Sequence, residues 1–203
     1  LALADRLSGA QTADSKPNVV YVFSDTHRWA SMPFTEAPDV HAPNMLALKS
    51  QGVTFDHCYS NLPICTPYRA IMQTGRWPFQ TGFIENHLDL HYRVDGSMQT
   101  IGSVFRAAGY RTEYYGKWHL GPADGQAWGY DVFNSGGEGA GAKADSGPNK
   151  DFENTARAVA AIARHAKSGQ AQPLFLTLSI VDPHGPFTPS KANLERYASN
   201  PDL

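Results

Sequence analysis

Two patterns of apolar positions alternate along the chain: short unbroken apolar runs, and longer stretches spaced for a helix. Val19-Val20-Tyr21-Val22-Phe23 is an unbroken β-branched and aromatic run. With no polar alternation it predicts a strand buried on both faces, as in a parallel sheet. A second such run spans 174–181 and closes at Asp182-Pro183-His184. Further strands are expected over 111–118 and at Val53-Thr54-Phe55. Between them, Met45, Leu46 and Leu48 predict a helix over 43–50 that Gly52 stops. Thr66-Pro67 predicts another helix start, with Thr as the cap and Pro at the first helical position, running on to Gly75. A short helix is expected over 100–108, ending at Gly109. The most regular helix is 151–167, where Phe152, Ala156, Val159, Ala163 and Ala166 share one face. Strand, helix, strand, helix in this order predicts an α/β fold with a mostly parallel sheet flanked by helices. Residues 135–148, rich in Gly, Ala and Ser without periodicity, read as a loop. Its glycine spacing is not a phosphate-binding loop, since no strand precedes it and no Lys-Ser/Thr pair closes it.

Composition narrows the partners. A chain of 203 residues can bury roughly 70% of the surface its unfolded form exposes. A formal net charge of -2 offers no electrostatic attraction to nucleic acid or to an anionic membrane. An anionic substrate would therefore need a local cluster of positive groups. No apolar run approaches the ~18 residues of a membrane span. Residues 1–16 read as an N-terminal tail, either the remnant of a secretory signal or a frayed terminus. The first reading implies an exported protein, periplasmic or extracellular. Residues 17–203 show no clear domain linker and read as the N-terminal part of one catalytic domain. The two cysteines, Cys58 and Cys65, could bridge a short loop in an exported protein, but they do not make a disulfide scaffold. One of them is expected to carry chemistry.

Reactive side chains fall at element ends, where open α/β sheets gather their ligands. Asp25, the Lys117/His119 pair and His184 each sit at the carboxyl end of a predicted strand. Cys65 precedes a predicted helix start, whose backbone N–H groups and dipole favour an anion. Arg69, four residues on, projects from the same side of that first turn. Lys117 and His119 are expected on one face of an extended segment, with Trp118 on the other. These residues predict an anion pocket beside a metal-binding carboxylate.

Longer motifs name a family. Cys65-Thr66-Pro67-Tyr68-Arg69, continuing to Gln73-Thr74-Gly75-Arg76, resembles the signature at which type I sulfatases have a Cys oxidised to formylglycine. Gly109-Tyr110-Arg111-Thr112 and Gly116-Lys117-Trp118-His119-Leu120-Gly121 resemble the second signature of that family, which belongs to the alkaline-phosphatase-like superfamily. Pro17-Asn18 with the strand ending in Asp25, and Asp182-Pro183-His184-Gly185-Pro186-Phe187, match in the same order. The resemblance implies hydrolysis of a sulfate monoester on a sulfated small molecule or saccharide. It implies that a formylglycine-generating enzyme converts Cys65 and that the aldehyde hydrate attacks sulfur. It assigns the metal, expected to be Ca2+, to Asp25, Thr26 and Cys65. Arg69 and His119 join Cys65 as catalytic residues, and Lys117 and His184 hold sulfate oxygens.

Two departures stand out. Thr26 occupies the place where the family usually has a second Asp, so a formal charge is missing from the metal set. The family's remaining metal ligands, a further sulfate-binding Lys and the smaller C-terminal domain match nothing up to Leu203, so the chain reads as truncated before that domain. Two other functions remain open. One is a phosphate or phosphonate ester hydrolase of the same superfamily; the other is a non-catalytic sulfated-glycan-binding protein. The aromatic stretch 77–98, with Trp77, Phe79, Phe83, His87, His91, Tyr92 and Arg93, is either a sugar subsite or packing. His27, His41, His57 and His165 are expected to be structural or exposed.

Overall fold

The computed structural model describes residues 16–35, 40–86, 98–121, 124–135, 150–169, 171–185, 187 and 189–198. Four strands form one sheet in the order β1-β4-β2-β3: β1 (Val19–Ser24), β2 (Arg111–Gly116), β3 (Val132–Ser135) and β4 (Leu174–Ile180). Every pairing is parallel, with Val19 opposite Phe175, Arg111 opposite Leu174 and Glu113 opposite Val132. All four carboxyl ends therefore emerge at one edge of the sheet. The helices are α1 (Pro43–Gln51), α2 (Cys65–Thr74), α3 (Pro78–Thr81), α4 (Ile101–Ala107), α5 (Lys150–Ser168) and α6 (Lys191–Tyr197). The α/β architecture with a parallel sheet is as the sequence predicts.

Alternation along the strands builds two cores. Tyr114 and Phe175 point into one, with Ala70 of α2, Trp118, Trp128 and Tyr130. Tyr115, Leu174, Leu176 and Leu178 point into the other, against Ala158 and Ala161 of α5. The second core corrects the expected face of α5. Phe152 and Val159 are 67% and 59% exposed, while Asn154, Ala158 and Ala161 are buried. Both stripes have helical spacing; the buried one packs Ala158 and Ala161 against the sheet and leaves the larger Phe152 and Val159 outside.

Three further expectations change. β1 lies at the end of the sheet, and Val20 and Val22 are 47% and 52% exposed, so it is not buried on both faces. Val53-Thr54-Phe55 is no strand; among the described residues it pairs with nothing in the sheet. Strand β2 stops at Gly116 rather than Trp118, because Gly116 turns at φ +100° directly against the Ser179 backbone. β3, α3 and α6 were not foreseen. The glycine-rich loop falls on residues outside those described, apart from Ser135 at the end of β3. The N-terminal tail lies outside them too, apart from Lys16.

Candidate active site

Asp25 is the first residue past β1, and its N–H continues the ladder by donating to Ile180 O at 3.0 Å. Its carboxylate is nearly buried, at 8% exposure. Oδ2 accepts from Lys117 Nζ at 2.8 Å and from Arg69 Nη2 at 3.2 Å. Burial raises the Asp25 pKa, and the bond from Lys117 and the charge of Arg69 outweigh burial, leaving it below the ordinary carboxylate range. The carboxylate is held ionised between two buried cations.

Cys65 opens α2 and faces this carboxylate, with Sγ 3.6 Å from Oδ1 and 3.5 Å from Oδ2. Lys117 Nζ lies 4.0 Å from the same sulfur. Burial and the negative charge of Asp25 push the thiol pKa up, against the pull of Lys117 and Arg69. As a thiol, Cys65 is therefore protonated at neutral pH and a poor nucleophile. Both cysteines are free thiols and Cys58 is exposed, so the short-loop disulfide does not form.

Two details of the α2 start differ from expectation. The cap position is Ile64, without a side-chain bond, which puts Cys65, Thr66 and Pro67 in the first three helical positions. Thr66 does not cap; its hydroxyl donates to His119 O at 2.8 Å. The orphan N–H of Thr66 instead donates to Asn86 Oδ1 at 2.9 Å, a cap brought from a distant loop.

Arg69 is buried at 3% exposure, with both terminal nitrogens hydrogen-bonded. Its Nη1 donates to Lys117 O at 2.9 Å and to Ser179 Oγ at 2.8 Å, and the guanidinium lies 5.1 Å over the Phe23 ring. Tyr114 OH also donates to Lys117 O. Lys117 thus has its backbone clamped from two sides while its side chain reaches Asp25. His184 joins from the end of β4: one ligand atom each from Asp25, Cys65 and His184 all lie within 4.8 Å of one another. His184 Nδ1 sits 2.6 Å from Gly185 O, which can only accept, so Nδ1 carries the proton.

The extended geometry expected at 117–119 is not observed. His119 has φ +54°, so it does not continue the face that carries Lys117; Trp118 points into the core at 0% exposure. Thr26 has φ +53°, and these two are the non-glycine residues with positive φ among those described. Such strain concentrates at functional sites, and both residues belong to the predicted set. Thr26 lines a cavity of about 540 Å³ beside Asp25, together with Arg28, Cys65, Tyr68 and Asn86. His27, expected to be structural, accepts from Ser24 Oγ and donates to Ser31 O, fixing the turn behind Asp25.

Sequence reasoning missed Ser179, Asn86 and Tyr114. Each acts through a neighbour of Cys65, and only the strand register brings Ser179 and Tyr114 to Arg69 and Lys117. In the aromatic stretch, Phe83 is a core residue at 1% exposure, while Trp77 and Phe79 are exposed. His87, His91, Tyr92 and Arg93 lie outside the described residues.

Residues 17–202 match the sequence model of the sulfatases. The chain belongs to the sulfatase family. An ulvan-active sulfatase of Formosa agariphila is 36% identical over 122 residues, covering 59% of this chain and 23% of that protein. An N-acetylglucosamine-6-O-sulfatase of Bacteroides thetaiotaomicron is 30% identical over 120 residues, covering 59% of this chain and 21% of that protein. The chain thus spans less than a quarter of the length of these relatives in the matched region. Among solved structures, a sulfatase-like protein described as yidJ from Bacteroides fragilis superposes with a TM-score of 0.78 at 21% identity, covering 95% of this chain and 50% of that one. Ps i-CgsB in complex with k-i-k-neocarrahexaose gives 0.77 at 22% identity, covering 93% and 49%. At these identities the structures establish a shared fold. No helix among the described residues is long and apolar enough to cross a membrane.

Proposed function

We propose that this chain carries the nucleophile and anion-binding wall of a sulfuric ester hydrolase acting on sulfated carbohydrates. The observation that carries the reading is Cys65 Sγ facing Asp25 at 3.5 Å, with Lys117 and Arg69 both on that carboxylate. A thiol held protonated gains reactivity by conversion to formylglycine, whose hydrate supplies an oxygen nucleophile aimed at sulfur. Lys117 and His184 then stand where sulfate oxygens would lie, and Arg69 orients the modified side chain. Preorganised donors of this kind are worth about 3 kcal/mol each in the transition state. His119 is assigned to proton removal as sulfate leaves.

A calcium ion takes about six to eight oxygens. Asp25 offers carboxylate oxygens, Thr26 beside it a hydroxyl, and formylglycine would replace the soft Cys65 sulfur with a hard oxygen. That set fits calcium as one wall, with further ligands coming from outside the described residues. When bound, the ion supplies Lewis acidity to a sulfate oxygen. The relatives act on sulfated saccharides by name, ulvan and N-acetylglucosamine-6-O-sulfate among them, which favours a sulfated saccharide substrate. We also propose that the protein is exported, because the polar, small-residue stretch from Ser8 to Lys16 is like the tail of a secretory signal.

The test is expression of the full-length protein with a formylglycine-generating enzyme, followed by a screen of sulfated saccharides against an aryl phosphate. Sulfate release that Cys65→Ala abolishes is expected, with an aldehyde probe labelling the Cys65 peptide. Preferential phosphate release would favour the phosphoesterase reading. Saccharide binding without turnover, and with Cys65 unmodified, would favour a binding protein.

A further inference from the structure

We propose that Asp151, at the start of α5, is a positioning residue that aims His184 at Cys65; this rests on the sulfate-holding role given to His184 above. β4 ends at Ile180, and the next two backbone N–H groups leave the sheet. The carboxylate of Asp151 accepts both. Val181 N donates to its Oδ1 at 3.0 Å and Oδ2 at 2.9 Å, and Asp182 N donates to Oδ2 at 2.8 Å. Charge-assisted bonds to backbone amides are short and roughly twice as strong as neutral ones. Inside the turn, His184 N donates to Val181 O at 3.0 Å, so the residue Asp151 clamps is also the one from which His184 hangs. The hydrogen bond of the imidazole itself is local, Nδ1 to Gly185 O, which sets the ring but not the position of the turn.

This clamp joins two elements. Asp151 lies in the first turn of α5, where a carboxylate is also favoured by the helix dipole. Helix α5 is seated on the sheet by Ala158 and Ala161. The turn bearing His184 is therefore referenced to a rigid helix rather than left to its own bonds. Burial and the nearby Asp151 charge raise the Asp182 carboxyl above its usual range, in keeping with two carboxyl groups kept close together. A displacement of about 1 Å in a positioning group can cost on the order of 100-fold in rate.

A purely structural Asp151 would weaken the enzyme whatever stands at position 184, so the test is a double-mutant cycle in the full-length, formylglycine-bearing enzyme. Asp151→Ala should lower kcat/KM on the order of 10- to 100-fold. The same change made in a His184→Ala background should add almost nothing. Asp151→Asn keeps one acceptor and should recover part of the loss. Selective 15N labelling of histidine gives a second readout without turnover: the His184 ring signal should shift in Asp151→Ala and return toward the parent position in Asp151→Asn. Equal losses in both backgrounds, or an unmoved His184 signal, would overturn the proposal. Should Asp151→Ala fail to fold, the Asn variant run through the same cycle decides it. If His184→Ala leaves turnover intact, the sulfate role of His184 falls, while the ring signal still reads whether Asp151 positions it.

Discussion

Gly116 is the point at which Lys117, one of the proposed anion-binding residues, is tied to the sheet, and replacing it with alanine tests that connection. It sits opposite Ser179 on β4, has φ +100°, and leads directly into Lys117, whose N–H donates to Ser179 O at 3.0 Å. A Cβ added there would overlap the Ser179 carbonyl oxygen and stand 2.9 Å from its carbonyl carbon. Neither neighbour is a flexible side-chain tip, so the backbone itself must move. Holding alanine at this φ costs about 1–3 kcal/mol. Relieving the overlap adds about 1–3 kcal/mol more. Gly75, at the end of α2, is the control: it has φ +65° and nothing within 4 Å of an added Cβ. Gly75→Ala should therefore cost only about 1–2 kcal/mol. Each kcal/mol lowers the melting temperature by about 2–4 °C in a chain of this size. Gly116→Ala should thus melt on the order of 10 °C below the parent, well beyond Gly75→Ala. Activity should fall with it, because Lys117 and the Ser179 partner of Arg69 move together. Equal melting temperatures for the two variants would refute the reasoning, since the left-handed backbone alone would then explain both.

Two other outcomes follow from the charges around Asp25. Its folded pKa is depressed, so its contribution is fully present above the unfolded carboxyl value of about 3.9 and is lost as pH falls through the lower folded value. Asp25→Asn should cost about 3–5 kcal/mol at neutral pH by stranding Lys117 and Arg69, and its melting curve should decline less steeply below about pH 4 than the parent's; parallel acid limbs would argue against the ion triad. In unmodified protein, iodoacetamide should alkylate exposed Cys58 well before Cys65, and Asp25→Asn should speed the Cys65 reaction. Peptide mapping that finds Cys65 labelled first would contradict the raised thiol pKa.

How much of this was legible beforehand depends on the range of the interaction. The strand cores at 19–23 and 174–180, and the helix ends set by Gly75 and Thr100, are local matters, and the sequence states them. Thr100, for instance, caps α4 through Ser103 N at 3.1 Å. The candidate site residues that the structure brings together, Asp25, Cys65, Arg69, Lys117 and His184, are legible because they sit at element ends and in long motifs. What failed was side-chain direction. Two stripes of α5 have helical spacing and the tertiary packing buries the one with Ala158 and Ala161, while the Val53 segment has strand-like composition but, among the described residues, no strand beside it. Ser179 and Asn86 carried no signal at all. Their partners lie 110 and 20 residues away, joined by register and by a loop closing over α2.

The turn geometry explains why the site lies where it does. Asp25 and Lys117 are the first residues past β1 and β2, and Thr26 and His119, one and two residues on, adopt left-handed backbone. The chain therefore leaves the sheet sharply just beyond each charged side chain. That sends Asp25 and Lys117 inward together, with β4 between their strands supplying Ser179. One carboxylate facing two buried cations leaves these three groups with a net positive charge. Such a site attracts an anion before any metal is considered, and a dication could join it only by bringing further acidic ligands with it. Thr26, standing where a second carboxylate is expected, makes that dependence stronger: the fewer negative charges the β1 turn supplies, the more any cation held here would rely on residues elsewhere, while the proposed sulfate-holding pair Lys117 and His184 is left unchanged.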